Sequence, residues 1–197
     1  MTTNYQLLNL HQFPSYKVFA TVFTNVKNTD EIKSHLIKGD KQYDFAFINA
    51  ENILSLEQLY SALYKALLDD TNDRKNSKTL HTELIFDLAP QKNIMECLNK
   101  FGISSHSSNL LVVKIIKSQT SDATQSQEEG KVSVRDDVFD QLNQKINGEV
   151  VPLNDETFKQ FANLNAIKKN FKLGNTFTEN TDKLNRLLIS VTQLKGL

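Results

Sequence analysis

Val18, Ala20 and Val22 alternate with Phe19, Thr21 and Phe23 from Lys17 to Thr24, so both faces of this stretch are apolar. A strand with two apolar faces lies inside a sheet or is covered on both sides. Phe13-Pro14 leads into it. Asn28 and Glu31 have capping-box spacing ahead of Ile32, His35 and Leu36, which predicts a short helix ending near Gly39. Tyr43 to Asn49 reads as the next strand. Ser55 and Gln58 open the clearest helix, in which Leu56, Leu59, Tyr60, Leu63, Ala66 and Leu67 repeat at helical spacing while Tyr64 and Leu68 widen the apolar surface. A stripe this wide is either buried on two sides or partly a docking surface.

Thr79 to Leu88 is rich in β-branched and apolar residues and reads as a mostly buried strand stopped by Ala89-Pro90. Asn93 and Glu96 then start a short helix with Ile94, Cys97, Leu98 and Phe101 on one face, and Gly102 is expected as a left-handed stop. Asn109 to Lys117 is a second apolar strand, too short to span a bilayer. Ser118 to Gly130 contains Ser, Thr and Gln without a large apolar residue, which predicts a disordered, dispensable insertion at 118–130. A helix from Ser133 carries Val138, Leu142 and Ile146 and stops at Gly148. Val150 to Leu153 is extended, and Asn154 or Asp155 caps a helix with Phe158 and Phe161. Leu164, Ile167 and Phe171 continue the pattern after a break, with Lys168, Lys169 and Lys172 on the wet face. The last helix, from about Thr181 to Leu194, places Leu184, Leu187, Leu188, Val191 and Leu194 in a seam. The expectation is an α+β fold: a small central sheet of about four strands wrapped by six to eight helices, as a single domain over residues 1–197.

The chain has 197 residues with 23 basic and 23 acidic side chains, so the molecule as a whole does not attract polyanions. One cysteine excludes an internal disulfide. The polar N-terminal stretch lacks a secretory pattern, and the expected location is the cytoplasm, with the nucleus open to a protein of this size. His11, His35, His81 and His106 have no i, i+4 or Cys-x-x-Cys partners, so no metal site or cofactor is predicted. Cys97 reads as a core residue. The paired carboxylates Asp69-Asp70, Glu128-Glu129 and Asp136-Asp137 are adjacent and diverge on a regular element. No catalytic residue is predicted. The loop from Asp69 to Lys78 gathers Arg74, Lys75 and Lys78 beside three acids, and it is either a solvated loop or a phosphate-contacting patch.

Lys78 to Pro90, Asn93-Ile94 and Lys100 to Ile103, with Phe13-Pro14, Val26-Lys27-Asn28, Phe45 to Asn49, Gln58 to Lys65 and Gln193 to Gly196, resemble in order and spacing the PRPK-binding protein (TPRKB-like) family of fungal type. That family is the small kinase-binding subunit of the KEOPS/EKC complex. The resemblance implies a mixed α/β fold and a non-catalytic partner of a small atypical protein kinase. Through that kinase it implies indirect association with the catalytic threonylcarbamoyl-transferase subunit and other KEOPS subunits. It also implies a part in threonylcarbamoyl-adenosine modification of tRNA and in telomere maintenance. Carried over by position, the kinase-docking surface comprises Leu184, Leu187, Leu188 and Val191, with Tyr60 and Tyr64 adding to it. Leu188→Glu is then expected to abolish kinase binding without unfolding the chain. The alternative implied function is binding of the tRNA acceptor end and its CCA tail through Arg74, Lys75 and Lys78, within the complex because the net charge is zero. No membrane association is expected.

Overall fold

The computed structural model describes residues 5–118, 142–174 and 180–195. Its sheet has five strands: β1 (Gln6–Leu8), β2 (Tyr16–Thr24), β3 (Ala46–Asn49), β4 (Leu110–Lys117) and β5 (Glu149–Val151). The order is β1-β2-β4-β3, all antiparallel, with β5 pairing β2 beyond β1. The long β2–β4 ladder sets Val18 opposite Ile115 and Val22 opposite Leu111. Period-two alternation then sends Val18, Ala20, Val22, Leu111 and Val113 to one face and Phe19, Phe23, Leu110 and Val112 to the other. Each face has its own apolar core, as the doubly apolar sequence of β2 demands.

The larger core is covered by α2 (Leu56–Thr71), α3 (Leu80–Leu88), α4 (Ile94–Phe101), α5 (Asp155–Phe161), α6 (Leu164–Asn170) and α7 (Thr181–Gln193). The smaller is covered by α1 (Thr29–Ile37), which supplies Ile32 and Leu36, and by Leu142 in a helical run over 142–145 and Ile146 just after it. Side-chain caps start most helices: Ser55, Thr79, Asn93, Asn154, Asn163 and Asn180 each accept a hydrogen bond from the backbone N–H three residues on. Asn28 differs. It donates to Glu31 and to the Lys145 carbonyl and accepts from the Asn147 N–H, tying the approach to β5 onto α1 instead of capping it.

The expected architecture is α+β as found, but its strands differ. Thr79 to Leu88 is not a strand: it is α3, capped by Thr79. His81 and every residue from Glu83 to Leu88 are buried, so α3 has almost no polar face and its pattern loses the periodicity that separates helix from strand. The predicted strand from Tyr43 begins only at Ala46, because Asp40 caps a 3-10 turn over Lys41–Tyr43. β1 and β5 complete the sheet, and β5 coincides with the expected extended piece. Gly102 ends α4 with φ −74°, not left-handed, and a Cβ there would stand 2.5 Å from the Leu98 carbonyl oxygen. Close approach is what demands glycine. Gly39, at φ 69°, is the left-handed stop after α1. The predicted insertion, apart from Ser118, and the start of the Ser133 helix lie outside the described residues.

Candidate functional site

α7 crosses α2, and their contact is polar at its ends. Ser55 Oγ donates to Asn185 Oδ1 (2.6 Å), Asn185 Nδ2 donates to Glu57 (2.7 Å), and Gln193 Nε2 donates to the Ser61 carbonyl (2.9 Å). Leu184 and Leu188 point into the core beside Leu59, Leu63 and Leu84. Leu188 is fully buried. These two are therefore spent on the chain's own packing. Leu187 and Val191 are half-buried, and Leu194 is 63% exposed. At about 100° per residue, all three stand roughly 100° or more round the helix from Asn185 and Gln193. They form a flank of α7 turned away from α2. Tyr60, half-buried, and the exposed Tyr64 and Leu68 make a separate stripe on α2, where Tyr64 packs edge-on against Phe13 with centroids 5.1 Å apart. The docking residues expected from sequence thus divide into a buried pair and two surface stripes.

The three basic residues do not act together. Lys75 donates to Asp70, and Arg74 pairs with Asp69 at 3.8 Å. Lys117 and Tyr16 also donate to Asp70, at 2.8 and 2.6 Å. Burial works to raise the Asp70 pKa, but these hydrogen bonds outweigh it and hold the carboxyl below the usual range. Lys78 alone is exposed and without an acidic partner among the described residues. It stands just ahead of the α3 N-terminus, beside a groove of about 510 Å³ between α1, α3 and α4. Phe45, Phe47, Ile85 and Leu98 form its apolar lining, and Lys33 and Thr79 are among the polar groups. Ile37 and Met95 line it as well and are both largely exposed.

His81 lines the same groove, and its role is structural. β3 begins only at Ala46, opposite Val113, and so leaves the next N–H on that side of β4, that of Ile115, without a strand partner. This N–H donates to His81 Nε2 (3.0 Å), so the ring is neutral with its proton on Nδ1, donated to Asp44 (2.9 Å). The His81 hydrogen bond, reinforced by one from Lys114, holds the Asp44 carboxyl below its ordinary range against the opposing effect of burial. With both nitrogens committed, His81 is not a free general base. His81→Ala leaves a buried N–H unpaired and is expected to cost about 1–3 kcal/mol, read as a lower urea midpoint.

Asp69, Glu83 and Asp87 bring carboxylate oxygens within 4.8 Å of one another where α2 meets α3. The cation they hold is a lysine: Lys65 Nζ lies 3.0 Å from Asp69 and 3.7 Å from Asp87. Glu83 is already occupied by the backbone N–H groups of Asn76 and Ser77 and by the Asn76 amide. Lys195, just past α7, reaches the carbonyls of Phe86 and Ala89 and lies over the Phe86 ring. It pins the end of α7 to α3. In the sequence His81 stands out only as an isolated histidine without metal-ligand spacing, and Glu83, Asp87 and Lys195 carry no motif of their own. The helical spacing of Leu80, Leu84, Ile85 and Leu88 was the one signal that would have set the first three on a common buried helix.

Residues 23–196 match the model of the family described as kinase binding protein CGI-121. The chain belongs to this family. An EKC/KEOPS complex subunit CGI121 from Debaryomyces hansenii is 33% identical over 98% of each chain. The subunit of that name from Aspergillus fumigatus is 33% identical, covering 100% of this chain and 99% of its own length. In Schizosaccharomyces pombe the corresponding subunit is 33% identical over 85% of this chain and 88% of its own. Among the described residues of this family member, no helix is long and apolar enough to cross a membrane.

Proposed function

We propose that this chain is a non-catalytic subunit of an EKC/KEOPS complex that docks on the complex's small atypical protein kinase and modulates it. In this way it supports threonylcarbamoyl-adenosine modification of tRNA and telomere maintenance, in the cytoplasm and nucleus. The catalytic transferase and other subunits are reached through the kinase. The observation that carries the proposal is the flank of Leu187, Val191 and Leu194 on α7, where Leu194 is exposed, Leu187 is half-buried, and Val191 is half-buried with part of its side chain packed on the core. Apolar side chains removed from water contribute roughly 1.5–3 kcal/mol each before association costs. Tyr60 and Tyr64 on α2 are the second element of the docking surface. Leu184 and Leu188 support it from beneath.

The test is the affinity for the cognate kinase of Leu187→Asp and Val191→Asp, with Tyr64→Asp as a separate variant. Each α7 variant is expected to weaken binding at least about tenfold; the urea midpoint should change little for Leu187→Asp and fall for Val191→Asp, because Val191 also packs against the core. Wild-type affinity in both would remove α7 from the docking surface.

A second reading is favoured by the groove at the start of α3. Its aromatic and aliphatic walls suit an unpaired base, and Lys78 beside it suits the adjoining phosphate. On this reading the groove takes the acceptor end of tRNA. Because Arg74 and Lys75 are already paired with acids, Lys78→Ala should weaken tRNA binding more than either of the other two alanine variants.

A further inference from the structure

From Thr157 to Thr178 the chain has four lysines and no acidic residue. The structure gathers three of them, Lys168, Lys169 and Lys172, at the C-terminal end of α6. Gln91 Nε2 donates to the Asn170 carbonyl (2.9 Å) and brings the exposed Lys92 to the same end. Among the described residues none of the four lies within ion-pair distance of a carboxylate. The nearby Glu96 is paired with Lys100 at 2.7 Å, and the Glu51 carbonyl accepts from the Asn163 N–H at the opposite end of α6. The balance of charge over the whole chain conceals this cluster.

The backbone here is also unusual. α6 closes with the Lys172 N–H donating to Lys169 and the Leu173 N–H donating to Lys168, which puts Lys172 at φ 55°. Glycine or asparagine fits that left-handed position, and a lysine fits it at a cost in strain. Among the described residues the other two non-glycine positions at positive φ, Asn25 and Asp73, are of the types that tolerate it. Strain kept at an exposed cationic position points to a use for the cation.

We infer that Lys92, Lys168, Lys169 and Lys172 form a contact surface for a nucleic-acid phosphodiester backbone. Interfaces between proteins are depleted of lysine at their centres and built on apolar anchors, and α6 exposes one large apolar side chain, Leu164. A lysine cluster with the exposed amide of Asn93 next to Lys92 has the composition of a phosphate-contacting face instead. The surface is distinct from the groove beside Lys78, is made by other residues, and does not rest on kinase docking.

The experiment is fluorescence anisotropy of the full chain with an RNA duplex and with a DNA duplex of matching sequence, across salt concentration. The variant combines Lys168→Ala, Lys169→Ala and Lys172→Asn, the last chosen because asparagine accepts the left-handed backbone. The wild type is expected to bind with steep salt dependence. The triple variant should bind at least about tenfold more weakly, with the log–log salt slope reduced by about three. Equal binding of the two duplexes supports a backbone surface in general, and preference for RNA supports it with RNA as the source. No binding by the wild type, or an unchanged slope in the variant, overturns the inference. Competition by poly-glutamate as effective as that by nucleic acid of equal charge also overturns it, assigning the surface to an acidic protein segment. Kinase affinity of the same variant is expected to stay at the wild-type value, so this surface and the docking flank fail or stand separately.

Discussion

Leu188→Glu is expected to abolish cooperative folding of the chain, so that it fails to dock because it is not native. Leu188 is fully buried within the core formed by α2, α3 and α7. Removing the leucine side chain alone costs about 2–5 kcal/mol. A carboxylate in its place has no cationic partner there and adds several kcal/mol more. A domain's whole stability is about 5–15 kcal/mol. The measurement is a urea unfolding curve of the purified variant: a lost or strongly lowered transition is expected, and a wild-type midpoint would contradict the packing of α7. This corrects the sequence-based expectation that the variant stays folded. The variant Leu187→Asp, at a half-buried position outside that core, is the one that separates docking from folding.

The second large effect sets Glu83 against Asp87, one turn apart on α3. Glu83 is buried and accepts three hydrogen bonds from Asn76 and Ser77. Burial acts to raise its pKa, but bonds from Ser77 and Asn76 outweigh it and hold it below its ordinary 4.5. Its contribution to stability is therefore present above that value and lost as pH falls through the lowered one. Glu83→Ala strands these donors and is expected to cost about 3–5 kcal/mol. Asp87 runs the other way. Neither of its oxygens has a hydrogen bond among the described residues, and burial, only partly offset by Lys65 and Lys195, pushes its carboxyl up to about 7.

Between the ordinary 3.8 and about 7 the folded chain holds an Asp87 proton that the unfolded chain releases. Stability accordingly falls as pH rises through this window. Lys195 mirrors it: burial pulls its ammonium down to about 8, so its cost is relieved as pH rises from there toward 10.5. Asp87→Asn removes the carboxylate and is expected to gain on the wild type as pH rises from 4.5 to about 7. Urea midpoints at pH 4.5, 6 and 7.5 test this, and a constant gap between variant and wild type would contradict it.

What the sequence revealed, and what it hid, follows from how far each signal reaches along the chain. β2 and β4 were legible because their apolar runs are continuous and bounded, the starts of α2 and α4 because Ser55 and Asn93 are local caps, and α7 because its apolar seam repeats at helical spacing. α3 was not, since burial on nearly every side removes the periodicity that marks a helix. Asn28 has capping spacing yet serves residues 145 and 147, more than a hundred positions away. The same limit applies to the surfaces. An apolar seam on α7 was readable, but which of its leucines face inward depends on where α2 lies, and Asn185 and Gln193 fix that only in three dimensions. Arg74 and Lys75 form a cationic pair in the sequence and are largely neutralised by Asp69 and Asp70 in the fold. The lysines around α6 behave oppositely, because among the described residues no carboxylate lies within ion-pair distance of them.

The most direct test of the central claim is co-purification of the wild-type chain with its cognate small atypical kinase, followed by the kinase's ATPase rate with and without it. A stable pair with a changed rate is the predicted result. A well-folded chain that neither associates with the kinase nor alters its rate would contradict the assignment as a kinase-docking subunit.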